Sequence, residues 1–161
     1  MIYMKKGFTL PELIITMSIL GMITSIIVIN VLTAQSKATV NNTILTFVAD
    51  LRSQQLKAMT GEKEGQAGND AYGVRFNQTD YVLFKGTTYT ANNPTNFSIK
   101  LSGSAQFTND LFPSAQVVFA SVSGEIINYV ANSDSIILQD PTSSFQKTLK
   151  LNRVGNVISV N

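Results

Sequence analysis

Between Glu12 and Lys37 the chain has 24 consecutive residues without a charge, and most of those from Leu13 to Leu32 are Ile, Leu, Met or Val. Twenty residues of α-helix rise about 30 Å, the thickness of a bilayer's hydrocarbon core. The run therefore predicts a membrane-spanning helix. A buried core helix and a secretory signal are the competing readings. Leu32-Thr33-Ala34 before Gln35 has the small-residue form of a signal cleavage site, but the apolar part of a secretory signal is about 7–15 residues long, shorter than this run. Lys5 and Lys6 precede the run and Lys37 follows it. Positive residues are retained in the cytoplasm, so the first residues are expected inside and the bulk of the chain outside.

Composition removes chemistry here rather than adding it. The chain has no Cys and no His, so disulfides, thiolate metal sites and imidazole acid–base catalysis are excluded. The formal charge is +2; setting Lys5 and Lys6 aside leaves ten basic and ten acidic residues. An excess that small is no electrostatic footprint for nucleic acid.

The segment Lys5-Lys6-Gly7-Phe8-Thr9-Leu10-Pro11-Glu12-Leu13 resembles the processing site of type IV pilin-like proteins. The resemblance implies a seven-residue leader with Lys5 and Lys6 as its charges, cut after Gly7 by prepilin peptidase, which then N-methylates Phe8. It also implies partners, namely that peptidase and methyltransferase, other pilins in a filament, and the cytoplasmic (inner) membrane before assembly. Glu12 falls at the family's fifth mature position, and Pro11 replaces an aliphatic residue. Proline in a first helical turn costs little, because the missing N–H has no partner there.

Glu12 also has a physical case of its own. An ionised side chain at the centre of a span costs roughly 2.5–3.5 kcal/mol, and less near its edge. Such a group snorkels to the headgroups or finds a cation. The new amine of Phe8 would be the nearest positive charge after cleavage, and the two attract by about 4 kcal/mol at 4 Å and an effective dielectric of 20. Between neighbouring copies that pairing would fix helix register. Thr16, Ser18, Gly21, Thr24 and Ser25 are small or hydroxylated, as at helix interfaces in membranes or by simple tolerance.

Past a polar patch from Gln35 to Asn42, apolar residues recur at Ile44, Phe47, Val48, Leu51 and Ala58, the spacing of one buried helix face. Asn41, Asp50, Arg52, Ser53 and Lys57 fall largely elsewhere. With Gly61 as the stop, one helix is predicted from about Phe8 to about Thr60. The polar, glycine-containing stretch Gly61 to Asp70 reads as a loop. Alternation then predicts strands at Tyr72–Phe76, Tyr81–Lys85, Phe97–Leu101, Gln116–Ala120, Glu125–Val130, Ser135–Gln139, Phe145–Leu151 and Asn156–Val160. Their short links force antiparallel pairing, in two packed sheets or a curled one. The expected fold class is α+β, a long N-terminal helix, transmembrane in its first half, packed on an antiparallel β-rich head of two small sheets. The expected divisions are 1–7 leader, 8–36 transmembrane half, 37–61 amphipathic half and 62–161 head.

That architecture is similar to the H-type pseudopilins of type II secretion and the minor type IV pilins. So are Asp50-Leu51-Arg52-Ser53-Gln54-Gln55-Leu56-Lys57-Ala58 and the closing run from Leu149 to Val157. No spacing marks a nucleophile with its base, no glycine loop ends as a phosphate cradle, and neither a cofactor nor catalytic activity is expected. Asp134 and Asp140 flank a strand and read as solvated turn residues rather than calcium ligands. Lys147, Lys150 and Arg153 are the candidate cations for DNA or a partner, although Lys147 and Lys150 project from opposite faces of a strand. The expected role is a filament subunit. The alternatives are a filament-tip module that binds DNA, a surface or a secreted substrate, and a membrane-anchored β-rich enzyme.

Overall fold

The computed structural model describes residues 7–61, 70–127 and 129–161, without the side chains at 26, 27, 29 and 30. The expected loop from Gly61 to Asp70 lies mostly outside the described residues. The chain divides into two compact units, Met1–Gln35 and Ser36–Asn161. Helix α1 is Leu10–Thr60, and Gly61 beyond it has φ +63°. That left-handed conformation suits glycine and ends the helix where the sequence placed the stop.

In the first unit the described side chains of α1 are exposed, among them Leu10, Ile14, Met17 and Met22. Among the described residues no helix is long and apolar enough to cross a membrane; the four undescribed side chains fall inside the apolar run.

The second unit holds the remaining elements: β1 (Tyr72–Phe76), β2 (Asp80–Lys85), β3 (Phe97–Lys100), β4 (Gln106–Thr108), β5 (Gln116–Phe119), β6 (Ser135–Asp140), β7 (Phe145–Leu151) and β8 (Val157–Val160), with a short 3-10 turn at Pro113–Ala115. They form two four-stranded sheets, ordered β3-β2-β1-β5 and β4-β6-β7-β8. Every pairing between strands is antiparallel, and the β1–β2 hairpin closes with Phe76 opposite Tyr81. The fold is thus α+β, a long N-terminal helix and two small antiparallel sheets.

One strand expectation is corrected, and one strand was not expected. Among its described residues Glu125–Val130 is not a strand; it makes a bridge, Ile126 opposite Phe119. Its next bonds diverge, with Ile127 N–H donating to the Val118 carbonyl (2.8 Å) and Ile126 N–H to the Arg153 carbonyl (2.9 Å). The segment therefore straps one sheet to the other instead of lengthening either. The strand that sequence did not find, β4, has one apolar residue, Phe107, and is too short to show a period.

One face of α1 joins both sheets. Val40, Ile44, Phe47, Leu51 and Ala58 are buried in one core with Val74, Phe76 and Tyr81 of the first sheet and Ile136, Leu138, Leu149 and Leu151 of the second. Val40 belongs to this face although it sits within the polar patch of the sequence. Phe47 is fully buried, with ring centroids 5.0 Å from Tyr81, 5.1 Å from Phe107 and 5.8 Å from Phe76, within the range of favourable aromatic pairs. The Tyr81 hydroxyl donates to the Asp50 carboxylate; burial, followed by that bond, pushes its pKa up. Asp50, expected off the buried face, is half-buried at its edge.

The end of α1 is tied down by backbone. Gln55 Nε2 donates to the Val154 carbonyl (2.7 Å) and the Gly124 carbonyl (3.0 Å). Ala58's carbonyl, an orphan of the last turn, accepts from Val122 N–H at 2.9 Å. Gly155 (φ +80°) has no room for a side chain, since an added Cβ would lie 2.6 Å from Gln55 Nε2.

Phe47→Ala is expected to destabilise the second unit by about 3–5 kcal/mol, the usual cost of truncating a buried aromatic. Urea unfolding of the full chain in detergent micelles, with a midpoint within error of the unaltered chain, would contradict this assignment of the core.

Candidate processing and assembly site

The segment that carries the sequence motif lies at the start of α1. Residues 7–9 are outside the helix, whose first backbone bond runs from Leu13 N–H to the Thr9 carbonyl at 3.1 Å. The sequence expectation of a helix from Phe8 is corrected by two residues. The signal for the later start was legible: Thr9 followed three residues on by Glu12 is the pattern of a helix N-terminus, and Pro11 sits in the first turn, where no N–H is needed. The Gly7–Phe8 peptide consequently has no place in the helical bond ladder. Gly7 has no atom within 4 Å of where a Cβ would stand, and Phe8 is 76% exposed. Glu12 is in the first turn and exposed, where a carboxylate is favoured by the helix dipole. Lys5 and Lys6 lie outside the described residues.

Residues 3–28 match the family model described as the prokaryotic N-terminal methylation motif. This supports a type IV pilin-like protein. It also supports processing by prepilin peptidase and assembly with other pilins. No curated protein and no solved structure matches the chain.

The hydroxyls of the apolar half are satisfied within their own helix. Ser18 donates to the Ile14 carbonyl (2.8 Å), Ser25 to Gly21 (2.7 Å), Thr16 to Leu13 (2.9 Å), and Thr24 to Leu20 (2.9 Å) and Gly21 (3.1 Å). Each can therefore enter an apolar medium without a neighbour, which keeps simple tolerance open beside an interface role.

The three candidate cations are not gathered into an unshielded patch. Lys147 is half-buried, Lys150 Nζ lies 3.5 Å from Asp134, and Arg153 Nη2 lies 3.5 Å from Glu125.

Asp134 and Asp140 are not solvated turn residues; both are buried, at 3% and 2% exposure. A carboxylate can be buried only where donors replace water. Asp134 accepts from Tyr129 Oη (2.8 Å) and faces Lys150. Asp140 accepts from Thr142 N–H (2.9 Å), the Ser104 hydroxyl (2.8 Å), the Thr142 hydroxyl and the Ser36 hydroxyl of α1. Asp134 precedes β6 and Asp140 ends it, about 20 Å apart at 3.3 Å per residue, too far to share an ion, and among the described residues no three acidic side chains gather to hold a metal.

The Thr142 hydroxyl first, then those of Ser36 and Ser104, hold the Asp140 carboxyl well below the usual carboxylate range. A carboxyl depressed by folding stabilises the fold in full above its unfolded pKa, about 3.9. That contribution is lost as pH falls from there through the lower folded value. Asp140→Asn is expected to lower stability at pH 7 and to flatten its decline below pH 4. Urea midpoints at pH 7 and pH 3 check this; an unchanged acid slope in the variant would remove Asp140 from the account.

Proposed function

We propose that this chain is a minor pilin or pseudopilin, a structural subunit of a type IV pilus or a type II secretion pseudopilus. In this reading prepilin peptidase cuts between Gly7 and Phe8, Phe8 is N-methylated, and the subunit assembles through its N-terminal helix. The observation that carries it is the methylation-motif match at residues 3–28 together with a Gly7–Phe8 bond that lies outside the helix and exposed.

Leu13–Leu32 is read as the membrane span before assembly and as part of the filament core after it. Support comes from the uncharged run in sequence and from the exposed apolar side chains of the first unit, which need a non-aqueous cover. Glu12 is the acidic group at its edge, matched by the Phe8 amine of an adjoining copy. The second unit stands outside the cytoplasm, and the chain has no catalytic role. The H-type or minor-pilin reading draws on the two similar segments of the sequence, Asp50–Ala58 and Leu149–Val157, which meet where Gln55 donates to Val154. The DNA-binding alternative is not favoured, because Lys150 and Arg153 each face a carboxylate.

The decisive measurement is the amino terminus of the protein recovered from membranes. N-methyl-Phe8 is expected; retained Met1, or a start at Gln35, would overturn the reading. Glu12→Ala is expected to be cut normally but to enter filaments at least about tenfold less, the effect of losing about 1.4 kcal/mol of pairing. Normal incorporation of the variant would remove Glu12 from assembly.

A further inference from the structure

We propose that the hollow between the β1–β2 turn and the loop after β4 binds one neutral sugar ring of a glycan. This inference is independent of the processing site. The hollow, of about 280 Å³, is lined by Asn77 and Gln78 on the turn, by Asn109 and Asp110 on the loop, and by Phe76 and Phe107. The two phenylalanines are buried and form its floor, with ring centroids 5.8 Å apart where β1 of the first sheet meets β4 of the second. Ligand pockets run from about 300 to 1,000 Å³, so a hollow at the small end suits a single ring rather than a chain.

The walls point to a ligand because three of their polar side chains are each held by one bond and keep a second group open. Asn77 Nδ2 donates to Asp80 (3.0 Å), Gln78 Nε2 donates to Gln106 (3.1 Å), and Asp110 Oδ1 accepts from Phe112 N–H (2.9 Å). Asn77 Oδ1, Gln78 Oε1, Asp110 Oδ2 and the whole Asn109 side-chain amide have no hydrogen-bond partner among the described residues. Acceptors fixed in place with unused capacity are preorganised for a ligand rich in donors. The loop is fixed as well. Asn109 and Ala115 line the hollow at φ +47° and +51°, with Ser114 at +58°, left-handed conformations that residues other than glycine adopt at a cost and that gather at ligand sites. Leu111 N–H on the Ser135 carbonyl and Ala115 N–H on the Phe112 carbonyl, each 3.0 Å, and Arg75 Nη1 on the Ser114 carbonyl hold them there.

Charge indicates a neutral ligand. Among the described residues Asp110 is the one ionisable group that lines the hollow. Burial pushes its pKa up, while the Phe112 N–H bond and the nearby Arg75 pull it down. Arg75 therefore offsets the carboxylate, and the site has no net charge with which to select an ion. Three open acceptors, one amide that both donates and accepts, and an apolar floor remain. A sugar ring has the matching complement, with hydroxyl groups round its rim and C–H groups on its faces. The hydroxyl that donates to the Asp110 carboxylate makes the strongest of these bonds.

The test uses the full chain in dodecylphosphocholine micelles, which carry no sugar, and follows the Asn109 side-chain amide signal by NMR. Asn109→Gly assigns that signal by its loss, since glycine accepts the left-handed φ. The probes are the methyl glycosides of glucose, galactose, mannose and N-acetylglucosamine, with acetyl-Lys-amide as a cationic counterpart. At least one glycoside is expected to shift the signal saturably, with a Kd of about 1 mM, the scale for a ligand of about a dozen heavy atoms, and equally in low and high salt. Asp110→Asn and Gln78→Ala are each expected to weaken that binding about tenfold; circular dichroism confirms that each is folded. A signal unmoved by all four glycosides, or binding unchanged in both variants, overturns the site. Tighter binding of acetyl-Lys-amide than of any glycoside, or loss of glycoside binding in high salt, overturns the neutral sugar.

Discussion

The second unit depends on one helix face being apolar at the right intervals. Each four-stranded sheet leaves an inner surface of Val, Ile, Leu and aromatic side chains, and α1 contributes residues to the core that covers both. Phe47 is the point of greatest dependence, since its ring meets Phe76 and Tyr81 of one sheet and Phe107 of the other. A helix face with Val40, Ile44, Phe47, Leu51 and Ala58 at intervals of three, four and seven residues supplies a continuous stripe. A one-residue shift of that pattern would rotate the stripe by about 100° and remove it from both sheets at once.

Apolar packing does not by itself fix where along the helix the sheets sit; polar contacts at the two ends do. Near Ser36 the anchor is Asp140, a buried carboxylate surrounded by hydroxyls from α1, from Ser104 and from the turn after β6. Near Thr60 it is Gln55, whose amide bridges the turns at Gly124 and Val154, with the Ala58 carbonyl taking Val122 N–H. These bonds are directional and leave buried groups unmatched if the helix slides, so they penalise register errors that burial alone would tolerate.

What the sequence revealed and what it concealed divide along the same line. Strands Tyr72–Phe76 and Phe145–Leu151 were legible to the residue, because alternation and turn residues are local signals. The stop at Gly61 was legible for the same reason. Val40 was lost because its neighbours in the chain are polar, while its neighbours in space are not. Asp140 read as a turn residue because two of its donors, the hydroxyls of Ser36 and Ser104, lie far back in sequence, and Asp134 because its cation, Lys150, lies on the next strand. Glu125–Val130 had a strand's composition, but its partner changes from one sheet to the other within two residues. Gln55 was visible only as part of a weak segment similarity, and nothing in its spacing marks an amide that bonds two turns.

The two parts of α1 meet opposite demands with the same secondary structure. From Val40 to Ala58 the apolar stripe is matched by polar residues elsewhere on the helix, and the chain itself supplies the cover. From Leu10 to Met22 the described side chains are exposed around the whole helix, so no single face can be covered by one neighbour. Burial of that surface requires a surrounding medium, which in the proposed reading is first lipid and then other copies in the filament. In either medium the helix's own hydroxyl bonds let Ser18, Thr24 and Ser25 pass without partners. Glu12 differs, since a carboxylate has no proton to give the backbone carbonyls and is only an acceptor. A lone acid on an otherwise apolar stretch of helix distinguishes one axial position from all others, and this is the physical basis of the role in assembly register proposed for it.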